Sequence, residues 1–349
     1  MKYDDVLENL RKERIFSKIN NKNTFIESLA NELEHVNLIT IYSIEARTVT
    51  LEYNNDFIII WDECYWKYFK EYLTSQKYAR KIKSDVSKVD LSVMAHFLSE
   101  KYIKFKNLSK FMYQVKIKYD ICPNLEFNEI DATNKKLLIA KAYVFFHEVG
   151  HIRIAQKDES ILVTKHIILK MLSEIKLDHF SKLENWADLA YSTVQELLRG
   201  LHQDIMEELI ADIFAVGKLA VYLKELIGGE FGITTIKEAV TSICSLSCYQ
   251  NLFNIINKVW DSYYTEIRFG LKPRKKEIKN NINELEIVRN NLGNIISIAL
   301  FLSYFDLNKN IKKEIWELYD SVHVDNSQVI NIMTSDNFIS TLIKESMQQ

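Results

Sequence analysis

Apolar residues recur at helical spacing along most of this chain, and the departures from that spacing are short. Val6 and Leu10, then Phe25, Leu29 and Leu33, mark two helices within the first 34 residues, split near Asn20-Asn21. From Leu38 to Trp61 the period changes to two. Ile39 and Ile41, then Val49, Leu51 and Tyr53, alternate with polar residues, Asn54-Asn55-Asp56 supplies a turn, and Phe57 to Trp61 is a short buried run. This predicts a small antiparallel sheet. Helical spacing returns at Tyr65 to Tyr72. A further strand is predicted at Tyr113 to Tyr119, where Tyr113, Val115, Ile117 and Tyr119 share one face and Gln114, Lys116 and Lys118 the other. Its open edge would suit an extended peptide.

After Cys122-Pro123, a cap-like Asp131-Ala-Thr133 leads into a helix over Lys135 to Gln156. That helix is apolar on nearly every side at Ala142 to Phe146, so it is expected to be buried. Helical periodicity then runs to the C-terminus, with breaks at Gly228-Gly229 and before Pro273. Two prolines and eight glycines favour long helices with few tight turns. The chain divides into three parts: residues 1–130 with N-terminal helices and the small sheet, 131–230 with the chemistry, and 231–349 as a C-terminal helical region.

At 349 residues, 47% hydrophobic and 26% charged, the composition allows a sizeable core and excludes a disordered or fibrous protein. A net charge of -2 gives no global attraction to nucleic acid or to an anionic membrane, so partners must be recognised locally. Met1 is followed by Lys2, Asp4, Asp5 and Glu8 without an apolar stretch, and a cytoplasmic protein is expected. The longest charge-free stretch, Ala239 to Asn257, holds too many Ser, Thr, Asn and Gln residues for a lipid-facing span. The four cysteines are expected as free thiols, with Cys244 and Cys248 as small core residues.

The buried helix carries Phe145-Phe146-His147-Glu148-Val149-Gly150-His151, which is H-E-x-x-H. Residues four apart project from one face, so both imidazoles can meet one ion, and Glu148, about a quarter turn round, flanks it as a base. The competing reading is a pair of core histidines satisfied by hydrogen bonds. Burying two imidazoles and a carboxylate would cost roughly 1–3 kcal/mol for each group left unpaired, and a shared zinc satisfies all three. Gly150 costs about 1 kcal/mol of helix propensity relative to Ala, which fits a place where another backbone approaches. Two downstream segments repeat a Glu followed four residues later by an Asp: Glu184-Asn-Trp-Ala-Asp188 and Glu208-Leu-Ile-Ala-Asp212. In each, the Glu would be a third ligand and the Asp would accept a hydrogen bond from a ligand His. Glu208 with Asp212 is preferred, because Ile213 to Val216 supply an apolar face suited to packing against Gly150. Glu184 is the alternative third ligand, and Glu207 is a further candidate.

H-E-V-G-H followed by E-E-L-I-A-D resembles the gluzincin zinc metallopeptidases, and most of all the phage-exclusion (Lit-type) peptidases. The aromatic segment Trp61 to Gln76 is loosely similar to that family's N-terminal part. The resemblance implies His147, His151 and Glu208 as zinc ligands, Glu148 as catalytic base and Asp212 behind the ligands. It further implies a cytoplasmic endopeptidase that shuts down translation in phage-infected bacteria by cleaving elongation factor Tu, with a phage-derived activator. The segment between His151 and Glu208 is longer than in that family, which makes Ser160 to Gly200 a helical insertion, and the family's downstream His-Pro has no counterpart.

Candidate donors to a developing oxyanion are Tyr263, Tyr264, Arg268 and His202. Lys101 to Tyr119 interleaves six lysines with aromatic residues, and snorkelling lysines on an amphipathic element explain it better than a nucleic-acid surface. Lys272-Pro-Arg-Lys-Lys-Glu reads as a solvated helix start, and His35, His96, His166, His179 and His323 have no partner pattern. The expectation is a mainly helical α+β fold with a zincin-like core, a small antiparallel sheet and extra N- and C-terminal helices. Its expected function is zinc-dependent hydrolysis of a peptide bond in a cytoplasmic protein, in phage defence. The alternatives are a regulatory zincin that cleaves a repressor and a non-catalytic, zinc-stabilised helical binding module.

Overall fold

The structure is a computed structural model. It describes residues 16–18, 24–31, 33, 36–43, 48–53, 56–103, 106–120, 130–159, 203–226, 232–268, 284–322 and 327–347. The segment of Val6 and Leu10 lies outside them, and Phe16–Lys18 forms a short strand, β1. Helix α1 (Thr24–Asn31) buries Ile26, Leu29 and Ala30 on one face. Strands β2 (Val36–Ser43), β3 (Val49–Tyr53) and β4 (Asp56–Asp62) complete a four-stranded sheet in the order β1-β2-β4-β3.

That sheet is mixed, which corrects the antiparallel expectation. β1 pairs antiparallel with β2 and β3 antiparallel with β4, but β2 and β4 run parallel. The cause is hydrophobic patterning. Phe57 to Trp61 is buried on both faces and so takes an interior position, as doubly covered strands do. β3 has one polar face and is left at the rim, and the chain reaches it before turning back into β4. Register places Thr50 opposite Ile59 and Glu52 opposite Phe57, on the face turned to the helices. Val49 lies opposite Ile60 and joins Ile39, Ile41 and Ile58 on the other face.

Asp62 joins the sheet to the helical layer. Its carboxylate caps the next helix by accepting from Cys64 N at 2.9 Å and from Ser43 N at 3.1 Å, and the Ser43 hydroxyl donates to it as well. Helix α2 (Glu63–Lys81) then buries Tyr65, Trp66, Tyr68, Phe69 and Tyr72. Trp66 stacks on Trp61 with ring centroids 5.1 Å apart. Helices α3 (Val86–Lys101) and α4 (Lys106–Tyr119) follow.

Helix α4 overturns the strand predicted at Tyr113 to Tyr119. Seven residues alternate there, but the longer pattern Leu108, Phe111, Met112 and Val115 has helical spacing, and those four are the buried ones. They pack towards α3, and Tyr113 and Ile117 stay 50% and 59% exposed. The alternation was therefore local, and the sheet edge beside the cleft described below is β3.

Helix α5 (Ile130–Ala155) starts earlier than the expected Lys135, and its residues Ile139 to Phe145 are all buried. Helices α6 (Gln203–Leu226) and α7 (Ile233–Arg268) bracket Gly228-Gly229. Next come α8 (Glu284–Ser303), α9 (Lys309–Val322), α10 (Ser327–Met333) and α11 (Asp336–Met347). The fold is thus mainly helical α+β, and one cluster of buried side chains runs from Ile26 to Leu342. No helix among the described residues is long and apolar enough to cross a membrane.

The most extensive helix contact is α5 on α6. Gly150 permits it, since a Cβ there would lie 2.8 Å from Ala211 Cα, inside any real contact. Ala211, two residues before Ile213, is therefore the residue that meets Gly150, and not the Ile213 to Val216 face. In an exposed helix Gly→Ala gains about 1 kcal/mol. Here Gly150→Ala is expected to destabilise by about 1–3 kcal/mol through overpacking, read as a lowered midpoint of thermal denaturation.

Candidate metal centre

The α5–α6 contact sets the geometry of the polar groups beside it. His147 and His151 lie on one face of α5, and Glu208 and Asp212, also four apart, lie on the face of α6 turned to them. His147 Nε2 and His151 Nε2 face each other at 3.1 Å. Glu208 Oε2 is 3.4 Å from His147 Nε2, and Glu208 Oε1 is 3.6 Å from His151 Nε2. Both Glu208 oxygens therefore face the two imidazoles, and one ligand atom from each of the three residues falls within 4.8 Å of the others. His147, His151 and Glu208 form a group that could hold a metal ion.

Groups behind these three fix their orientation. His147 Nδ1 donates to Asp212 Oδ1 at 2.8 Å, which leaves Nε2 to the cluster. Tyr143, one turn before His147, donates its hydroxyl to the same oxygen at 3.0 Å. Helix α8 closes over this carboxylate at Gly293, where a Cβ would lie 2.6 Å from Asp212 Oδ2. His151 and Glu208 are the more exposed members, so the cluster opens on their side.

The electrostatics favour a cation. Burial opposes charge on His147, but hydrogen bonds and negative charge from Asp212 and Glu208 outweigh it and push the imidazole up to about 10. Glu148 is raised to about 7 by burial, against the lowering effects of His147 and of a hydrogen bond from Thr50. A carboxylate at that value is matched to proton transfer near neutrality. Thr50 Oγ1 donates to Glu148 Oε2 at 2.7 Å.

The cluster lies in a cleft of about 790 Å³. Thr50 and Glu52 of β3, with Thr48 just before it, line the cleft together with Ser247, Gln250 and Asn254 of α7. Glu207 lines it too, outside the group of three. Glu184, Asp188 and His202 lie outside the described residues, as do the side chains of Tyr264 and Arg268. Tyr263 is buried and donates to the backbone of Met333, so it serves the core and not the site. Thr50, Tyr143 and Gly293 were not anticipated. Only Tyr143 carried a signal, its spacing of four from His147.

No family model, curated protein or solved structure matches the chain.

Asp212→Asn is expected to lower zinc affinity by about 10–100-fold, because the amide still contacts His147 but loses the charge that holds its tautomer. Competition against a chromophoric chelator measures this directly.

Proposed function

We propose that this protein is a zinc-dependent endopeptidase acting on an extended segment of a protein substrate. One observation carries the reading: two imidazoles and a carboxylate converge with their ligand atoms within 4.8 Å of one another, and a second carboxylate stands beside them in a sizeable cleft. His147, His151 and Glu208 would hold the ion. Bound there, zinc would supply a Lewis acid that polarises the scissile carbonyl and acidifies the attacking water.

The chain's own residues perform the remaining work. Glu148 takes the proton from the attacking water and passes it to the leaving amine. Asp212, supported by Tyr143, keeps His147 in the tautomer that ligation requires. Among the described residues β3 pairs with β4 alone and stands at the rim of the sheet, so its outer edge suits backbone pairing with an extended peptide. The resemblance to phage-exclusion peptidases supports a cytoplasmic substrate in phage defence, with elongation factor Tu the first to test and a phage component as trigger.

Glu148→Gln is expected to retain one zinc per chain, read by elemental analysis, and to lower cleavage by about 10²–10⁴-fold. Sequencing of new protein N-termini in cells expressing either form identifies the substrate. Equal sets of termini from both forms, with zinc retained, would overturn the peptidase reading in favour of a zinc-stabilised binding module. A cleaved repressor in place of a translation factor would move the protein from defence to regulation.

A further inference from the structure

Glu148 is separated by 98 residues from the side chain that holds it. Its carboxylate is buried, and Thr50 is the one side chain hydrogen-bonded to it among the described residues. The Thr50 hydroxyl lies 2.7 Å from Oε2 and 3.4 Å from the backbone oxygen of the same glutamate. Register accounts for this approach. Thr50 sits opposite Ile59 on the face of the sheet turned to the helices, and Val49 and Leu51 point the other way. A shift of one residue would turn Thr50 away and bring an apolar side chain to Glu148.

A glutamate has three side-chain torsions and would sample several rotamers in a cleft without a partner. One bound oxygen removes most of that freedom and leaves the other oxygen to accept a proton. We propose that Thr50 is a positioning residue for Glu148, holding the base from the same edge strand along which an extended substrate would lie. This rests on the peptidase reading and adds to it: a single strand both borders the substrate and orients the group that activates water. Distortion of β3 would then disarm the base without touching a metal ligand.

The test compares wild type, Thr50→Val, Thr50→Ser and Glu148→Gln, expressed at equal levels and each checked for one zinc per chain and an unchanged melting temperature. Val keeps the shape and loses the hydroxyl, and Ser keeps the hydroxyl. The yield of Glu148-dependent N-termini is expected to fall about 10–100-fold in Thr50→Val, by analogy with the loss of a hydrogen-bond partner behind a metal ligand, and to recover in Thr50→Ser. In the cobalt-substituted proteins, the visible d–d absorption of Thr50→Val is expected to move towards that of Glu148→Gln, while Thr50→Ser overlays wild type. Wild-type yield from Thr50→Val, failure of Thr50→Ser to recover, or a cobalt spectrum unmoved by Thr50→Val would overturn the role of Thr50 and leave the peptidase reading standing. Absence of Glu148-dependent termini in every strain would overturn both.

Discussion

The close approach of two helices, permitted by the missing side chain at Gly150, is the constraint on which the site depends. With Ala211 Cα only 2.8 Å from where a Cβ would be, α5 and α6 meet backbone to backbone. Their polar faces are then near enough for Glu208 to reach both imidazoles and for Asp212 to reach the far side of His147. An apolar spacer at this crossing would widen every one of those distances together. The helix-propensity cost of one glycine is small beside the desolvation of the groups it allows to pair.

Charge follows from that geometry. Burial alone would strip protons from an imidazole and add them to a carboxylate. At His147 two carboxylates reverse the first tendency, and at Glu148 burial prevails over a nearby imidazole and a hydroxyl. The two residues are adjacent in sequence and both are raised, but for different reasons: His147 by its carboxylate neighbours and Glu148 by burial. The same cleft thus holds a site that favours positive charge beside a carboxylate that exchanges its proton near neutrality.

The chemistry was more legible in the sequence than the architecture. H-E-V-G-H and E-E-L-I-A-D have fixed helical spacings, so the pairing of His147 with His151 and of Glu208 with Asp212 on common faces follows from helix geometry alone. Gly150 stood out because a glycine within a buried helix needs a reason. Alternation misled at α4, where seven residues mimicked a strand and only the longer window showed the buried stripe from Leu108 to Val115. The parallel pairing of β2 with β4 depends on which strand takes the sheet interior, a competition among whole strands that no local pattern records. Thr50 and Gly293 were invisible because their partners are distant in the chain.

The cleft also bears on how separable the chemistry is from the rest of the chain. A fragment cut at residues 131–230 would contain His147, Glu148, His151, Glu208 and Asp212, yet it would lack Thr48, Thr50 and Glu52 from before it and Gln250 and Asn254 from after it. It would also lack Gly293, where α8 comes down over Asp212. Grafting or trimming around the two motifs would therefore carry the clustered imidazoles and carboxylates away from the surfaces that shape what reaches them. In this molecule the smallest transplantable unit is larger than the stretch holding its signature residues.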